Sequence, residues 1–186
     1  PNLSPEFSTS IEAGLRAEFL KRRVTLEANY YFVKAEDQIS NAAASSASGA
    51  SSYLTNIGEI QNRGLEFDLG LVPFKSEDFQ WDLNLTLSTN KSEVISLSEG
   101  AERLQVGTGY QNVATIFAQV GDPYPSIFAP GYVRDPNGNI VVGDDGNPMA
   151  TSEFINLGST VPDFIAGLST SIKYKDFKLS AVADYK

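Results

Sequence analysis

Asp135-x-Asn137-x-Asn139 places three oxygen-bearing side chains at alternate positions, the spacing of the first three ligands of a calcium loop. Two departures weigh against calcium. Gly138 is misplaced for such a loop, and Gly146 stands at the twelfth position, where a bidentate glutamate belongs. A plain polar turn is the competing reading of Asp135, Asn137 and Asn139. Asp144 and Asp145 form a carboxylate pair, but adjacent residues seldom aim at one substrate atom, so they read as solvated turn acids. The chain has no histidine and no cysteine. That removes the commonest general base, the commonest metal ligand, every thiolate site and every disulfide. No catalytic residue and no cofactor is expected, and the chain does not read as an enzyme.

Four aromatic residues of a long loop, Tyr110, Tyr124, Phe128 and Tyr132, could contact a ligand by stacking on sugar rings. Packing the loop on itself accounts for them equally well. The prolines of Gly121-Asp122-Pro123-Tyr124-Pro125 fix φ and favour an ordered segment.

The elements that must carry these loops show themselves by alternation. Phe7, Thr9, Ile11, Ala13, Leu15, Ala17 and Phe19 share one parity; Ser8, Ser10, Glu12, Gly14, Arg16 and Glu18 share the other. Successive strand residues face opposite ways, so this is one strand with an apolar and a charged face. At about 3.3 Å per residue it runs roughly 40 Å, which tilted by about 40° matches the apolar band of a transmembrane β-barrel. The same pattern returns at Val24–Phe32, Gly64–Leu71, Trp81–Ser88, Phe164–Tyr174 and Phe177–Tyr185. Within these stretches every charge lies on the polar parity, as a lipid-facing surface requires. The polar parity supplies candidate lumen-facing residues Glu12, Arg16, Glu27, Glu66, Asp68 and Lys173, with the acids expected to pair in part with Arg16, Lys173 and Lys178. Phe19, Phe79, Trp81, Tyr174 and Phe177 gather at one end as an interfacial girdle.

Connection lengths also alternate. Short turns are expected at Leu20–Arg23, Pro73–Asp78 and Lys175–Asp176, and long loops at about 36–57 and 90–162. Three hairpins with short periplasmic turns and long extracellular loops make an all-β, antiparallel transmembrane β-barrel segment of about six strands. Inside the second loop, Asn137-Gly138 suggests a small hairpin. The alanine/serine tract from Asn41 to Ser52 reads as a mobile loop without chemistry. A soluble or surface-attached β-sandwich glycan-binding module is the alternative, because sandwiches alternate too. Against it, Ala13, Ala28, Ala166, Thr170, Ala181 and Ala183 hold the strand centres, where a packed core would place bulk.

The net charge of −9 excludes the basic footprint of a nucleic-acid binder. Mean hydropathy is −0.17. Alternating barrel strands average to such values, so the figure does not exclude a membrane protein. The chain opens at Pro1 without an initiator methionine or signal peptide, and reads as a piece of something longer.

Several segments carry a family likeness: Leu3-Ser4-Pro5-Glu6-Phe7, Asn56-Ile57-Gly58-Glu59-Ile60-Gln61-Asn62-Arg63-Gly64-Leu65-Glu66-Phe67, Pro73-Phe74-Lys75 through Trp81, and Asn90-Lys91-Ser92-Glu93-Val94. They continue with Val120-Gly121-Asp122-Pro123-Tyr124, Arg134-Asp135 with Asn137-Gly138-Asn139-Ile140, Gly158 with Pro162-Asp163-Phe164, and Tyr174-Lys175-Asp176-Phe177. In this order they resemble the SusC/RagA family of TonB-dependent outer-membrane transporters, typical of Bacteroidota. The resemblance implies a 22-stranded, plugged barrel importing oligosaccharides or peptides. It further implies an N-terminal plug domain through which the TonB complex acts, and a SusD-like lipoprotein partner. Residues 1–186 would then be a partial barrel domain in the cell outer membrane, surrounded by its lipid, with the plug absent. Twenty-two strands at about 31 residues each need roughly 680 residues, so this is about a quarter of a barrel.

Overall fold

The computed structural model describes residues 3–44, 47, 49, 51–108 and 113–186. Its strands are β1 (Phe7–Phe19), β2 (Val24–Glu36), β3 (Ile39–Ala43), β4 (Ser52–Asn56), β5 (Gly58–Lys75), β6 (Phe79–Thr89) and β7 (Lys91–Leu97). After a single 3₁₀ turn come β8 (Arg103–Thr108), β9 (Thr115–Gln119), β10 (Ser126–Tyr132), β11 (Ala150–Ser159), β12 (Phe164–Tyr174) and β13 (Phe177–Tyr185). The six strands legible by alternation form one sheet in the order β1-β2-β5-β6-β12-β13, with β7 paired to β5 off that path. The sheet is open, with β1 and β13 at its edges.

Register makes the faces. Phe164 lies opposite Thr89 and Tyr174 opposite Phe79, with β12 and β6 paired unbroken between them. The row Phe67–Leu87–Ala166–Tyr185 is apolar, as is Leu69–Leu85–Leu168–Ala183. The intervening row, Asp68–Thr86–Gly167–Asp184, is polar. Thr170 is a hydroxyl on the apolar side, and it is satisfied locally. Trp81 Nε1 donates to Thr170 Oγ1 at 2.9 Å, and Thr170 Oγ1 donates to the Asp82 carbonyl at 3.3 Å.

The turn ends carry the expected rings. Phe79, Tyr174 and Phe177 stand directly across from one another, and Phe74 stacks on Trp81 at 6.2 Å. At the opposite strand ends Phe164 stacks on Tyr185 at 5.5 Å, a second aromatic station that the sequence pattern did not reveal.

The turns at Leu20–Arg23 and Lys175–Asp176 stand as expected. The third is shorter than expected, because Pro73 lies within β5. A register shift between Leu71 and Phe74 gives it room, and proline, lacking an N–H, is tolerated at such a bulge. Arg23 occupies the bulge's carbonyls: its Nε donates to Val72 O at 3.0 Å and its Nη2 to Pro73 O.

Two compact units divide the chain. The second comprises Ser8–Lys34, Gln61–Ser92 and Pro162–Lys186, the bulk of the six-strand sheet. It contains no buried hydrophobic side chain; even mid-strand Leu85 and Leu168 are each 39% exposed. A sandwich would bury that face against a second sheet, so the sandwich alternative is set aside.

The first unit, Pro1–Phe7, Ala35–Ile60 and Glu93–Val161, holds every buried hydrophobic residue among those described: Ala42, Ile57, Ile60, Val94, Leu97, Ala118 and Phe128. Both long loops prove to be built from strands. β3 and β4 pair from Ile39–Asn56 to Ala43–Ser52, so the alanine/serine tract is framed by a hairpin rather than being wholly a loop. β11-β10-β9-β8 form a four-stranded sheet. Main-chain pairing needs no alternation of side chains, which is why the pattern did not expose it.

Asn56-Ile57-Gly58 shows how a short motif fixes this unit. The Asn56 amide donates to Ser4 O at 2.9 Å and to Asp37 O at 2.6 Å, and accepts from Ser4 N at 2.8 Å. Ile57 is fully buried. Gly58 has φ +126° and lies against the Ser96–Leu97 backbone, so a Cβ there meets main chain. Gly58→Ala is therefore expected to cost about 3 kcal/mol or more. Chemical unfolding of the purified full-length protein checks this, and a change below about 0.5 kcal/mol would contradict it.

Candidate functional site: the polar face and the loop sheet

Glu12, Arg16, Glu27, Glu66, Asp68 and Lys173 all lie in the second unit, on the polar parity. Asp68 faces Thr86, Glu66 faces Ser88, and Lys173 faces Gln80 and Lys178. Polar side chains also lie over the glycines of this face: Asn29 over Gly14, Thr25 over Gly70, Thr86 over Gly167, and the Tyr31 ring over Gly64. The Tyr31 hydroxyl donates to Asn90 Oδ1 at 2.9 Å.

The expected ion pairing is only partly present. Arg16 lies 3.6 Å from Glu18, and Arg22 donates to the same carboxylate at 2.8 Å. Lys173 and Lys178 pair with no acid among the described residues; opposite each other, they meet like charge instead. The strand acids turn to amides. Asn84 donates to Asp68 at 3.0 Å, Gln80 to Asp82 at 2.7 Å, and Asn29 to Glu27 at 3.5 Å. An amide satisfies a carboxylate's lone pairs without bringing an opposite charge to it.

The loop sheet belongs to the first unit. One of its faces builds the core in which Val94, Leu97 and Ala118 are buried, with Leu104, Val106 and Tyr124 packed on them. Phe128 is 3% exposed and meets Phe117 edge-on at 5.2 Å. Packing of the loop on itself thus describes Phe128, while Tyr124 is only partly buried and keeps its place in the set of ligand-contact candidates. Tyr132 is 55% exposed and stays in it. Tyr110 lies outside the described residues. The sequence reading passed over Arg103, whose guanidinium carbon lies 4.5 Å from the Phe117 ring centroid and 5.6 Å from that of Phe128. The alternation of Arg103 and Gln105 opposite Gln119 and Phe117 was the available signal, but strands of six and five residues made it faint.

Asp135 closes a turn on itself. Its Oδ1 accepts the backbone N–H groups of Asn137 and Asn139, at 2.9 and 2.8 Å, and its Oδ2 accepts the Asn139 side-chain amide at 3.0 Å. Asn139 thus presents a donor toward Asp135, the wrong polarity for a shared cation, and the plain-turn reading describes the geometry. Asp145 repeats the arrangement with Asn147, whose side-chain amide donates at 2.9 Å and backbone N–H at 3.0 Å. The expected hairpin at Asn137-Gly138 is present as isolated bridges, Arg134–Ile140 and then Val142–Pro148. A closed ring of backbone bonds joins its ends: Val133 N–H to Met149 O, Met149 N–H to Val141 O, and Val141 N–H to Val133 O.

The Asn139 side-chain amide, followed by backbone N–H groups, holds the Asp135 carboxyl below the usual range, and the Asn147 amide does the same for Asp145. A depressed folded value stabilises the turn above the ordinary carboxylate range, and that contribution is lost as pH falls through the lowered value. Carbon-13 carboxyl shifts of labelled aspartate should place both midpoints below that of an aspartate in an unstructured peptide. Midpoints at or above the peptide's would contradict the turn geometry.

The family model described as "TonB dependent receptor-like, beta-barrel" matches residues 1–185. TonB-dependent receptor P26 of Formosa agariphila is 28% identical over 205 residues, covering 97% of this chain and 20% of that protein. TonB-dependent receptor SusC of Bacteroides thetaiotaomicron is 28% identical over 195 residues, covering 96% of this chain and 19% of that protein. The solved RagAB peptide transporter shares the fold at a TM-score of 0.74 and 20% identity, over 95% of this chain and 20% of that one. The chain thus spans about a fifth of the length of the relatives it matches. With its in-register antiparallel strands and the match across nearly its whole length, the chain belongs to the TonB-dependent receptor β-barrel family.

Proposed function

We propose that residues 1–186 are part of the barrel wall and external loops of an outer-membrane importer. Two of its relatives are a TonB-dependent receptor SusC and a RagAB peptide transporter, and both names support nutrient uptake. In this reading the barrel has 22 strands and a plugged lumen, and the TonB complex supplies energy through an N-terminal plug. A SusD-like lipoprotein holds an oligosaccharide or peptide above the loops at about 36–57 and 90–162. Transport of this kind needs no covalent step, and no residue is assigned a catalytic role.

One observation carries the reading. Six strands of one sheet each keep an apolar parity, in register from β5 through β6 and β12 to β13, yet the unit they form buries no hydrophobic side chain. Such a face is stable against hydrocarbon and costly against water. Glu12, Arg16, Glu27, Glu66, Asp68 and Lys173 then line the lumen, and the two aromatic stations lie at the membrane interfaces.

Adjacent substitutions test this most simply. Leu168, between Leu85 and Ala183, lies on the apolar face; Ser169, between Asn84 and Val182, lies on the polar one. In the full-length protein Leu168→Lys is expected to cost about 2–4 kcal/mol and Ser169→Lys about 1 kcal/mol or less. Outer-membrane abundance and denaturant unfolding in lipid read the difference. Equal effects of the two lysines would rule out a lipid-facing parity.

A further inference from the structure

We propose that Arg103 is a carboxylate-binding residue of the loop sheet, so that the imported ligand carries a free carboxylate. This rests on the importer reading and sharpens its substrate class.

The other arginines with described polar contacts are spent within the chain. Arg16 and Arg22 pair with Glu18, Arg23 caps the β5 bulge, and Arg134 donates to Gly138 O at 2.7 Å. Arg103 differs: it is held by two rings and forms no ion pair among the described residues, in a chain with 23 acidic side chains. Phe128 is buried and edge-on to Phe117, which makes the ring platform rigid. The two rings flank the guanidinium carbon, and no hydrogen bond among the described residues occupies its N–H groups. A planar guanidinium suits a carboxylate, which accepts two parallel N–H bonds.

The surroundings fit a small polar ligand. Gln119 lies directly across from Arg103 in the β8–β9 register. With Glu102 and Val120 these residues line one open depression. The Gln119 amide offers both a donor and an acceptor, and the Glu102 carboxylate accepts from hydroxyl or ammonium groups. Sugar acids combine a carboxylate with hydroxyls, and peptides combine one with N–H groups, so the shared chemistry leaves two sources to distinguish.

The test uses the full-length protein purified in detergent, with calorimetric binding of four probes. These are oligogalacturonate, its methyl ester, a short peptide with free carboxyl groups, and the same peptide amidated. The charged form of at least one pair is expected to bind about tenfold or more tighter than its neutral form. Arg103→Gln should abolish that preference, and Arg103→Lys, which keeps the charge and loses the planar fork, should restore only part of it. A preference for the uronate alone assigns a sugar acid, and one for the peptide alone assigns a peptide carboxylate. Equal binding of charged and neutral forms, binding of none of the probes, or a preference that survives Arg103→Gln overturns the site. Energy-dependent uptake by cells, measured alongside, reports on import itself, so a failed site and a failed importer reading give different results.

Discussion

Strand register is the constraint on which the rest of this structure depends. Side chains repeat every two residues, so a slip of one position between neighbours would exchange the faces of a whole strand. From β5 through β6 and β12 to β13 no such exchange occurs, even where the Pro73 bulge interrupts the ladder. Beyond the bulge Phe74 still meets Trp81 and Lys75 still meets Gln80. Arg23 holds that bulge from the neighbouring turn, reaching about fifty residues along the chain for its carbonyl partners. One guanidinium therefore helps keep the apolar residues on one side and the acids on the other.

The two units answer different physical demands. In the six-strand sheet small residues hold the strand centres and aromatics the ends, and no tight interior is formed. The loop unit is an ordinary small core, with Val94, Leu97 and Ala118 at its centre and Tyr124 packed on it. Its polar motifs are structural: Asn56 clamps two segments, and Asp135 and Asp145 each close a turn. That leaves Arg103 as a positioned cation whose geometry is not spent on the fold.

What was legible in the sequence followed from short-range periodicity. The six alternating strands and the turns at Leu20–Arg23 and Lys175–Asp176 are local properties, and they stand as read. Pro73 reads locally as a turn residue, whereas its place in β5 depends on Arg23, a partner no local pattern announces. The β3–β4 hairpin and the four-stranded loop sheet were missed because main-chain pairing is blind to composition. The Phe128 ring packs against Phe117 and Arg103, a juxtaposition made by three separate strands that no local pattern announces. Thr170 is legible as a small residue at a strand centre, but its hydrogen bonds with Trp81 and Asp82 come from a neighbouring strand about ninety residues away and are not.

In the proposed importer one parity of these strands meets lipid and the other meets a watery lumen. Spin labels placed singly from Ala166 to Lys173 in the full-length protein, reconstituted in bilayers, test it most directly. Oxygen, which partitions into lipid, should reach labels at 166, 168, 170 and 172. A water-soluble relaxation agent should reach 167, 169, 171 and 173. A two-residue oscillation with the reagents out of phase is the predicted result. Uniform water accessibility at all eight positions, or an oscillation of the opposite phase, would contradict the account.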